Sequence, residues 1–394
     1  MIKSYTVTIT EIDDGDEAAR LAAEKVASFP LMKNTVGIVF AHPEFVSSGV
    51  YARVAAALPF QLIGTTSISH CAGGEVGTYM MSVLILTSED CSFSCGLSGV
   101  LPKTGGVKES ELACACYEAA AGNLPDKPAM AFMYAPFYDK PYVGACLDAL
   151  SGLTGGLPLF GAVANDDQSV SLTETGARVL LGGEAFDNRL AVAVVGGAVE
   201  PKFHIISATE ESMIMPRVGV ITAISECRIT EINNMNALEF FRSVGFPVDD
   251  PNNNSGLLSS IFILHINEGN DCVSVSRIPH GVAGGGILCG GDIVEGAVLS
   301  VAFNTQEMVL ETAEQAAETI KKGSGGGTAI IHTCLGRRYG LLSDPMAELE
   351  LLRGALGGFN CVAAYANGEI CPTRVAGGKA DNRFHNQTLV ACVF

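Results

Sequence analysis

Four side chains of different chemistry lie close together towards the carboxyl end of the chain: a thiol at Cys334, a guanidinium at Arg337, a phenol at Tyr365 and a carboxylate at Glu369. A guanidinium is planar and can hold a carboxylate through two parallel hydrogen bonds. A glutamate nearby can pair with an ammonium group of a ligand. The combination predicts a pocket for a small charged ligand, with Arg337 as its anchor.

Glu75 is a candidate for the same reason as Glu369, because each follows a glycine at a turn. The interval from Gly64 to Glu75 spans 11 residues, as does the interval from Gly358 to Glu369, and an apolar strand and a helix precede each. This recurrence predicts that the two halves of the chain carry related units, with Glu75 and Glu369 at equivalent positions.

The elements that position the candidate pocket can be read from the local pattern. Residues 328–334 form a short apolar run of strand length, and residues 361–365 form a second one. Between them, Asp344 and Pro345 supply an N-cap and a first-turn proline, which predicts that a helix begins there. The candidate side chains would therefore lie at the exits of two neighbouring strands, where open α/β sheets bind their ligands.

Length and pattern predict the architecture. A chain of 394 residues exceeds what one hydrophobic core usually supports, and strands alternate with amphipathic helices along it. We therefore expect an α/β protein of two mixed-sheet, layered α/β sandwich domains related by duplication. The boundary is predicted between residues 212 and 213, which gives domains of residues 1–212 and 213–394.

The net charge of −18 argues against two classes of partner. Nucleic acids need clustered Lys and Arg to neutralise their phosphates, and anionic membrane surfaces need the same. The longest apolar stretch is also too short for a spanning helix. We expect no contact with nucleic acid or membrane.

The 13 cysteines are odd in number and scattered through apolar surroundings, which is typical of free, buried thiols. None has partners at zinc-binding spacing, so we expect no metal and no cofactor. The mixed, acidic composition of residues 1–20 predicts no secretory signal. A cytoplasmic, reducing compartment fits this usage of cysteine.

The motifs near the carboxyl end resemble those of the FIST family, which comprises bacterial and eukaryotic proteins with an N-terminal and a C-terminal FIST domain. Cys334 to Arg337 resembles the family's Cys-x-Gly-Arg motif, with Glu348 at the place of a usual helix glutamate. Residues 384–388 are similar to its closing His-Asn-x-Thr. The N-terminal resemblance is looser, because Ala162 and Asn165 depart from the family's pattern.

The resemblance implies a sensory module of signal transduction that binds a small ligand, with an amino acid as one candidate, and that acts on a signalling partner. It also adds His385 and Asn386 to the predicted ligand-binding set. Cys334, Arg337, Tyr365, Glu369 and Glu75 complete that set.

Two other interpretations stay open. Cys334 could be the nucleophile of an enzyme, assisted by His385; His332 shares its strand face but lies about 7 Å away along it. Alternatively, the chain could be a protein-interaction adaptor without a ligand. A binding protein is favoured over an enzyme, and no catalytic residue is assigned.

Overall fold

The structure is a computed structural model, and it describes residues 2–104, 106–138, 142–166, 176–208, 212–246, 248, 260–268, 271–323 and 327–394. Within these ranges the chain forms both strands and helices. The strands are β1 Lys3–Ile9, β2 Asn34–Ala41, β3 Gln61–Thr66, β4 His70–Ala72, β5 Glu75–Gly77, β6 Met81–Ser88, β7 Ser92–Leu97, β8 Pro128–Ala135, β9 Leu159–Val163, β10 Val179–Leu181, β11 Glu184–Phe186, β12 Ala191–Gly196, β13 Lys202–Ile206, β14 Met213–Ser225, β15 Arg228–Ile232, β16 Met235–Asn236, β17 Ser260–Glu268, β18 Asp271–Arg277, β19 Pro279–Ala283, β20 Gly286–Cys289, β21 Val298–Phe303, β22 Gly327–Cys334, β23 Phe359–Ala366, β24 Glu369–Ala376, β25 Lys379–His385 and β26 Leu389–Val393. The helices are α1 Gly15–Ala27, α2 Pro43–Ser47, α3 Val50–Ala57, α4 Val107–Gly122, α5 Val143–Thr154, α6 Ala237–Ser243, α7 Gln306–Gly323, α8 Leu335–Gly340 and α9 Ala347–Ala355.

Three six-stranded sheets share one plan. Their strand orders are β1-β6-β2-β3-β10-β11, β7-β12-β8-β9-β24-β25 and β13-β26-β22-β23-β4-β5. In each sheet the third and fourth strands run parallel, and the other neighbours run antiparallel. We call β1–β6 the first unit, β7–β12 the second unit, and β13 with β22–β26 the third unit.

Each unit contributes a hairpin to the sheet of another unit, so the three sheets exchange hairpins in a cycle. The hairpin β4–β5 of the first unit pairs with β23 of the third, and β24–β25 of the third pairs with β9 of the second. The hairpin β10–β11 of the second unit pairs with β3 of the first. The hairpins thus cross the predicted boundary between residues 212 and 213 in both directions.

The pairing register defines equivalent positions in the three units. His70 pairs with Ala364, Val179 with Thr65, and Glu369 with Ala162. His70, Val179 and Glu369 therefore correspond to one another. The predicted equivalence of Glu75 and Glu369 was wrong, because Glu75 lies beyond the turn of its hairpin, opposite Ala72. A constant interval in the sequence could not show this register.

The sheets pack their inner faces together around a common core. Phe40 of β2, Tyr134 of β8 and His332 of β22 meet at its centre. Their ring centroids lie 5.4 Å (Phe40 to His332), 6.0 Å (Tyr134 to His332) and 6.3 Å (Phe40 to Tyr134) apart. The helices cover the outer faces; α1, for example, is capped by Asp14, whose side chain accepts from two backbone N–H groups, and buries one stripe of small and branched residues.

A fourth, antiparallel sheet is inserted between β13 and α7. Its order is β18-β17-β21-β14-β15-β20-β19, with β16 paired to β15. It docks on the third unit through the buried Arg277, whose Nη1 donates to the Phe384 carbonyl at 2.9 Å. The Asn386 N–H donates to the Ser276 carbonyl at 3.3 Å. The inserted sheet thus contacts the chain on either side of His385.

The predicted α/β class with mixed, layered sheets is confirmed, whereas duplication stays a prediction. The two predicted strands are present as β22 and β23. The helix between them begins at Ala347 and not at Asp344–Pro345, because residues 341–346 form turns instead. Within the described ranges, no helix is long and apolar enough to cross a bilayer.

Candidate functional site

The parallel strands β22 and β23 bring the candidate residues to one edge. Their last residues, Cys334 and Ala366, are register partners, so the segments that leave both strands start side by side. Cys334 is the residue before α8, which carries Arg337 one turn later. Across the hairpin β24–β25, Glu369 pairs with His385. With Tyr365 next to the end of β23 and Asn386 directly after β25, six of the seven predicted residues therefore lie at one end of the third unit.

Arg337 is fully buried and is held by an acid of the chain itself. Its Nε and Nη2 donate to Glu348 Oε1 at 2.9 and 2.6 Å. Nη2 also donates to the Val309 carbonyl and to Thr312 Oγ1, both at 3.0 Å. The predicted bidentate hydrogen bonding of a ligand carboxylate is therefore not available, because the Nε–Nη2 edge of the guanidinium faces Glu348. Nη1 is buried and lacks a hydrogen-bond partner among the described residues.

Cys334 and Glu369 form a second buried pair. Burial raises the pKa of the Glu369 carboxyl well above its usual range, although Thr388 Oγ1 donates to its Oε2 at 2.7 Å. Burial also raises the pKa of the Cys334 thiol, and the charge of Glu369 adds to this effect. The backbone N–H groups of Gln387 and Gly336 point at the sulfur and oppose it. A thiol held in its protonated form favours a contact role for Cys334 over a nucleophilic one.

Unsatisfied polar atoms are concentrated here. Buried polar side-chain atoms are normally hydrogen-bonded, and each exception needs an explanation. The described atoms at this edge that lack a hydrogen bond of normal geometry are Arg337 Nη1, Tyr365 Oη, Glu369 Oε1, His385 Nδ1, Asn386 Oδ1, Gln387 Oε1 and Gln387 Nε2. The Tyr365 hydroxyl faces Glu348, and the Glu369 carboxyl faces Cys334, without completing such a bond. Donors and acceptors of both kinds thus converge with unused capacity.

Gln387 also has a strained backbone. Its φ of 56° lies in the left-handed region, which is uncommon for residues other than glycine, Asn and Asp. The side chain is buried and reaches so close to Gly336 that a Cβ there would lie 2.4 Å from its Nε2. Strained residues that the surroundings hold in place cluster at functional sites. Gln387 is therefore a candidate site residue that the sequence did not reveal.

His385 faces the inserted sheet. Burial and the neighbouring Arg277 lower its pKa to about 4, so the imidazole is neutral near pH 7. Its Nε2 lies 3.1 Å from the Cys371 carbonyl, which makes Nε2 the protonated nitrogen and leaves Nδ1 as an acceptor. The inserted sheet, through Arg277, thus adds to the effect of burial in keeping this imidazole neutral.

Six of the seven predicted residues come together, and Glu75 does not. Glu75 is exposed at the start of β5 and lines a separate groove beside β1. Besides that of Gln387, the roles of Thr388 and Glu348 were not predicted from the sequence. Glu348 could have been found, because a buried Arg needs an acid and Glu348 stands on the next helix; the φ of Gln387 could not.

Comparisons with known proteins agree with the sequence motifs. Residues 35–235 match the family model of the FIST N domain, and residues 237–372 match that of the FIST C domain. No curated protein matches the chain.

Solved structures give weaker similarities. The crystal structure of a cyanuric acid hydrolase from A. caulinodans is 9% identical, with a TM-score of 0.35 over 100% of this chain and 99% of that one. A second cyanuric acid hydrolase structure is 8% identical, with a TM-score of 0.29 over 68% and 84%. PurLQS from Thermotoga maritima is 10% identical, with a TM-score of 0.19 over 99% and 72%. At such TM-scores these similarities carry no conclusion about this chain.

Proposed function

We propose that this chain, which belongs to the FIST family, is a sensory protein that binds a small polar ligand at the edge of its third unit. FIST domains are associated with sensory signal transduction and small-ligand binding. The observation that supports this place is the set of seven buried polar atoms without hydrogen bonds of normal geometry. A ligand that satisfies them recovers the desolvation cost that each unpaired group imposes, about 1–3 kcal/mol.

An α-amino acid is the proposed ligand. Arg337 Nη1 is a cationic donor for a carboxylate, and Glu369 Oε1 is an acceptor for an ammonium group. An ammonium group beside Glu369 also opposes the effect of burial on the pKa of that carboxyl, which favours the charged form that binds it. The Gln387 amide, with one free donor and one free acceptor, would contact the remainder of the ligand.

The site is closed, and this predicts slow exchange. Arg337, Glu369 and His385 have no exposed surface, so a ligand enters only when part of the surrounding structure moves. Slow release would leave part of the protein occupied after purification. Native mass spectrometry of freshly purified protein should therefore show an additional small-molecule mass, and a panel of amino acids should then raise the Tm of stripped protein selectively.

Two variants test the assignment without removing the buried ion pair. Arg337→Lys keeps a cation for Glu348 but lacks the second terminal nitrogen, so we expect affinity to fall by about tenfold or more. Glu369→Gln keeps an acceptor for Thr388 and removes the charge that the ammonium needs, so it should lose binding as well. Arg353→Lys, an exposed substitution on α9, is the matched control. Unchanged affinity in both pocket variants, measured by calorimetry, would place the ligand elsewhere.

We also propose a cytoplasmic location and a signalling protein as partner. All 13 cysteines are free, which fits a reducing compartment. The location can be tested by breaking the cells without reductant and counting the free thiols of the protein. Disulfides that had already formed inside the cells would contradict the proposed compartment.

A further inference from the structure

The strand β1 has a free edge. Within the described chain it pairs with β6 alone and ends its sheet. The Ser4 carbonyl accepts from Asn360 Nδ2 at 2.9 Å, so the backbone groups of Ser4 point away from β6. In an antiparallel strand, alternate residues direct their N–H and C=O to the same side. Thr6 and Thr8 therefore present their backbone donors and acceptors along this edge.

A groove of about 660 Å³ lies along the same edge. One wall is α1, with the half-exposed Leu21 and with Lys25, whose ammonium lies 5.9 Å from the centroid of the Phe29 ring. The other wall is the β4–β5 hairpin, with Gly73 in its turn and the exposed Glu75 at the start of β5. Native proteins usually cover or charge such an edge, because it is a template for another strand.

The geometry of the groove selects its occupant. Alternating backbone donors and acceptors are matched by the backbone of an extended polypeptide, which adds a strand to the sheet. The side chain of such a strand that faces the turn meets the Glu75 carboxylate, which favours Lys or Arg there. We propose that the β1 edge binds an extended, basic segment of a partner protein by strand addition. This surface is separate from the third-unit site, so it stands whether or not that site binds an amino acid.

The probe is a fluorescent seven-residue peptide of alternating valine and lysine, measured by anisotropy on the full chain. We expect a Kd of about 100 µM or below, weaker at high salt. Thr6→Pro removes an N–H that the sheet does not use, so it should preserve the fold and weaken binding at least tenfold. Glu75→Lys should weaken binding to a similar extent. Glu311→Lys, exposed on α7, is the matched charge control and should bind normally.

Amide exchange gives an independent readout, because added-strand pairing should slow exchange at Thr6 and Thr8. Three results would overturn the proposal: no binding of the lysine peptide, equal binding of a peptide with glutamate in place of lysine, or binding that neither Thr6→Pro nor Glu75→Lys reduces. A dimer of this chain that Thr6→Pro dissolves in native mass spectrometry would also overturn it, since the occupant would then be a second copy.

Discussion

The first and third units place different chemistry on one backbone plan. His42 directly follows the central strand β2, and Cys334 is the last residue of the central strand β22. Their N–H groups donate to the carbonyls of Met80 and Thr388 respectively. Each precedes a short helix, and three residues later the helix buries Phe45 in the first unit and Arg337 in the third.

The hairpin positions repeat the contrast. His70 is satisfied in the first unit, with its ring nitrogens 3.1 Å from Ser82 Oγ and from the Ser67 carbonyl. At the equivalent place in the third unit, Glu369 has one oxygen without such a bond. A buried ion pair stabilises a protein less than apolar packing of the same shape. That the third unit holds charge where the first holds an aromatic ring therefore favours the third unit over the first as the ligand-binding unit.

The largest expected effect is the loss of stability at acidic pH, which tests whether the first and third units both bury neutral imidazoles. Burial lowers the pKa of His70 and of His332 to about 3, and burial with Arg277 lowers that of His385 to about 4. An unfolded His titrates near its ordinary value of about 6.5. Between these limits the unfolded chain binds more protons, so the free energy of unfolding falls as pH decreases, with full stability above about pH 6.5. With stability of about 5–15 kcal/mol, three such groups should unfold the protein between about pH 6 and 4.

Urea denaturation at several pH values measures this slope. His70→Gln and His385→Gln should each reduce the number of protons taken up on unfolding by about one. The pH dependence of the unfolding free energy should then decrease by about 1.4 kcal/mol per pH unit. A variant with an unchanged slope would show that its imidazole is already charged in the folded protein, and the comparison would fail at that unit.

The second effect distinguishes the contribution of the buried Phe45 ring to stability from that of the buried Arg337 charge. Arg337→Met leaves Glu348 without its cation and should cost about 3–5 kcal/mol of unfolding free energy. Phe45→Leu, at the equivalent position, should cost only about 1 kcal/mol. The double variant Arg337→Met/Glu348→Leu should recover most of the loss, because no unpaired charge remains. If the double variant were as unstable as Arg337→Met, packing and not charge would explain the role of Arg337.

The smallest effect on stability concerns the residue before Thr388. Gln387 is buried, whereas its first-unit counterpart Tyr79, the residue before Met80, is 60% exposed. Gln387→Asn keeps an amide and suits a positive φ, so unfolding free energy should change by less than about 1 kcal/mol. The shorter side chain should nevertheless weaken ligand binding about tenfold. Tyr79→Asn is the control and should leave binding unchanged; equal loss in both variants would contradict a special role for Gln387.

The sequence predicted the parts of the site that local pattern determines. Apolar runs located β22 and β23, and strand exits located Cys334, Arg337 and Tyr365. It could not predict which guanidinium nitrogens Glu348 occupies, because that depends on how α8 and α9 pack. Nor could it predict the correspondence of Glu369 with His70, because the pairing partners of both hairpins lie in other units. The φ of Gln387 likewise depends on tertiary contacts and leaves no trace in residue type.

The cyclic exchange of hairpins has a consequence for folding kinetics. None of the three six-stranded sheets is complete until residues far apart in the chain have met; the Ser67 hydroxyl, for example, donates to the Tyr365 carbonyl across 298 residues. Closing such long loops costs entropy before native contacts compensate, so chains rich in distant contacts fold slowly. We expect refolding from urea to be slow, with late and simultaneous appearance of the three sheets. An isolated segment of residues 1–212 should leave β9 without β24 and β4 without β23, and it should aggregate through those open edges.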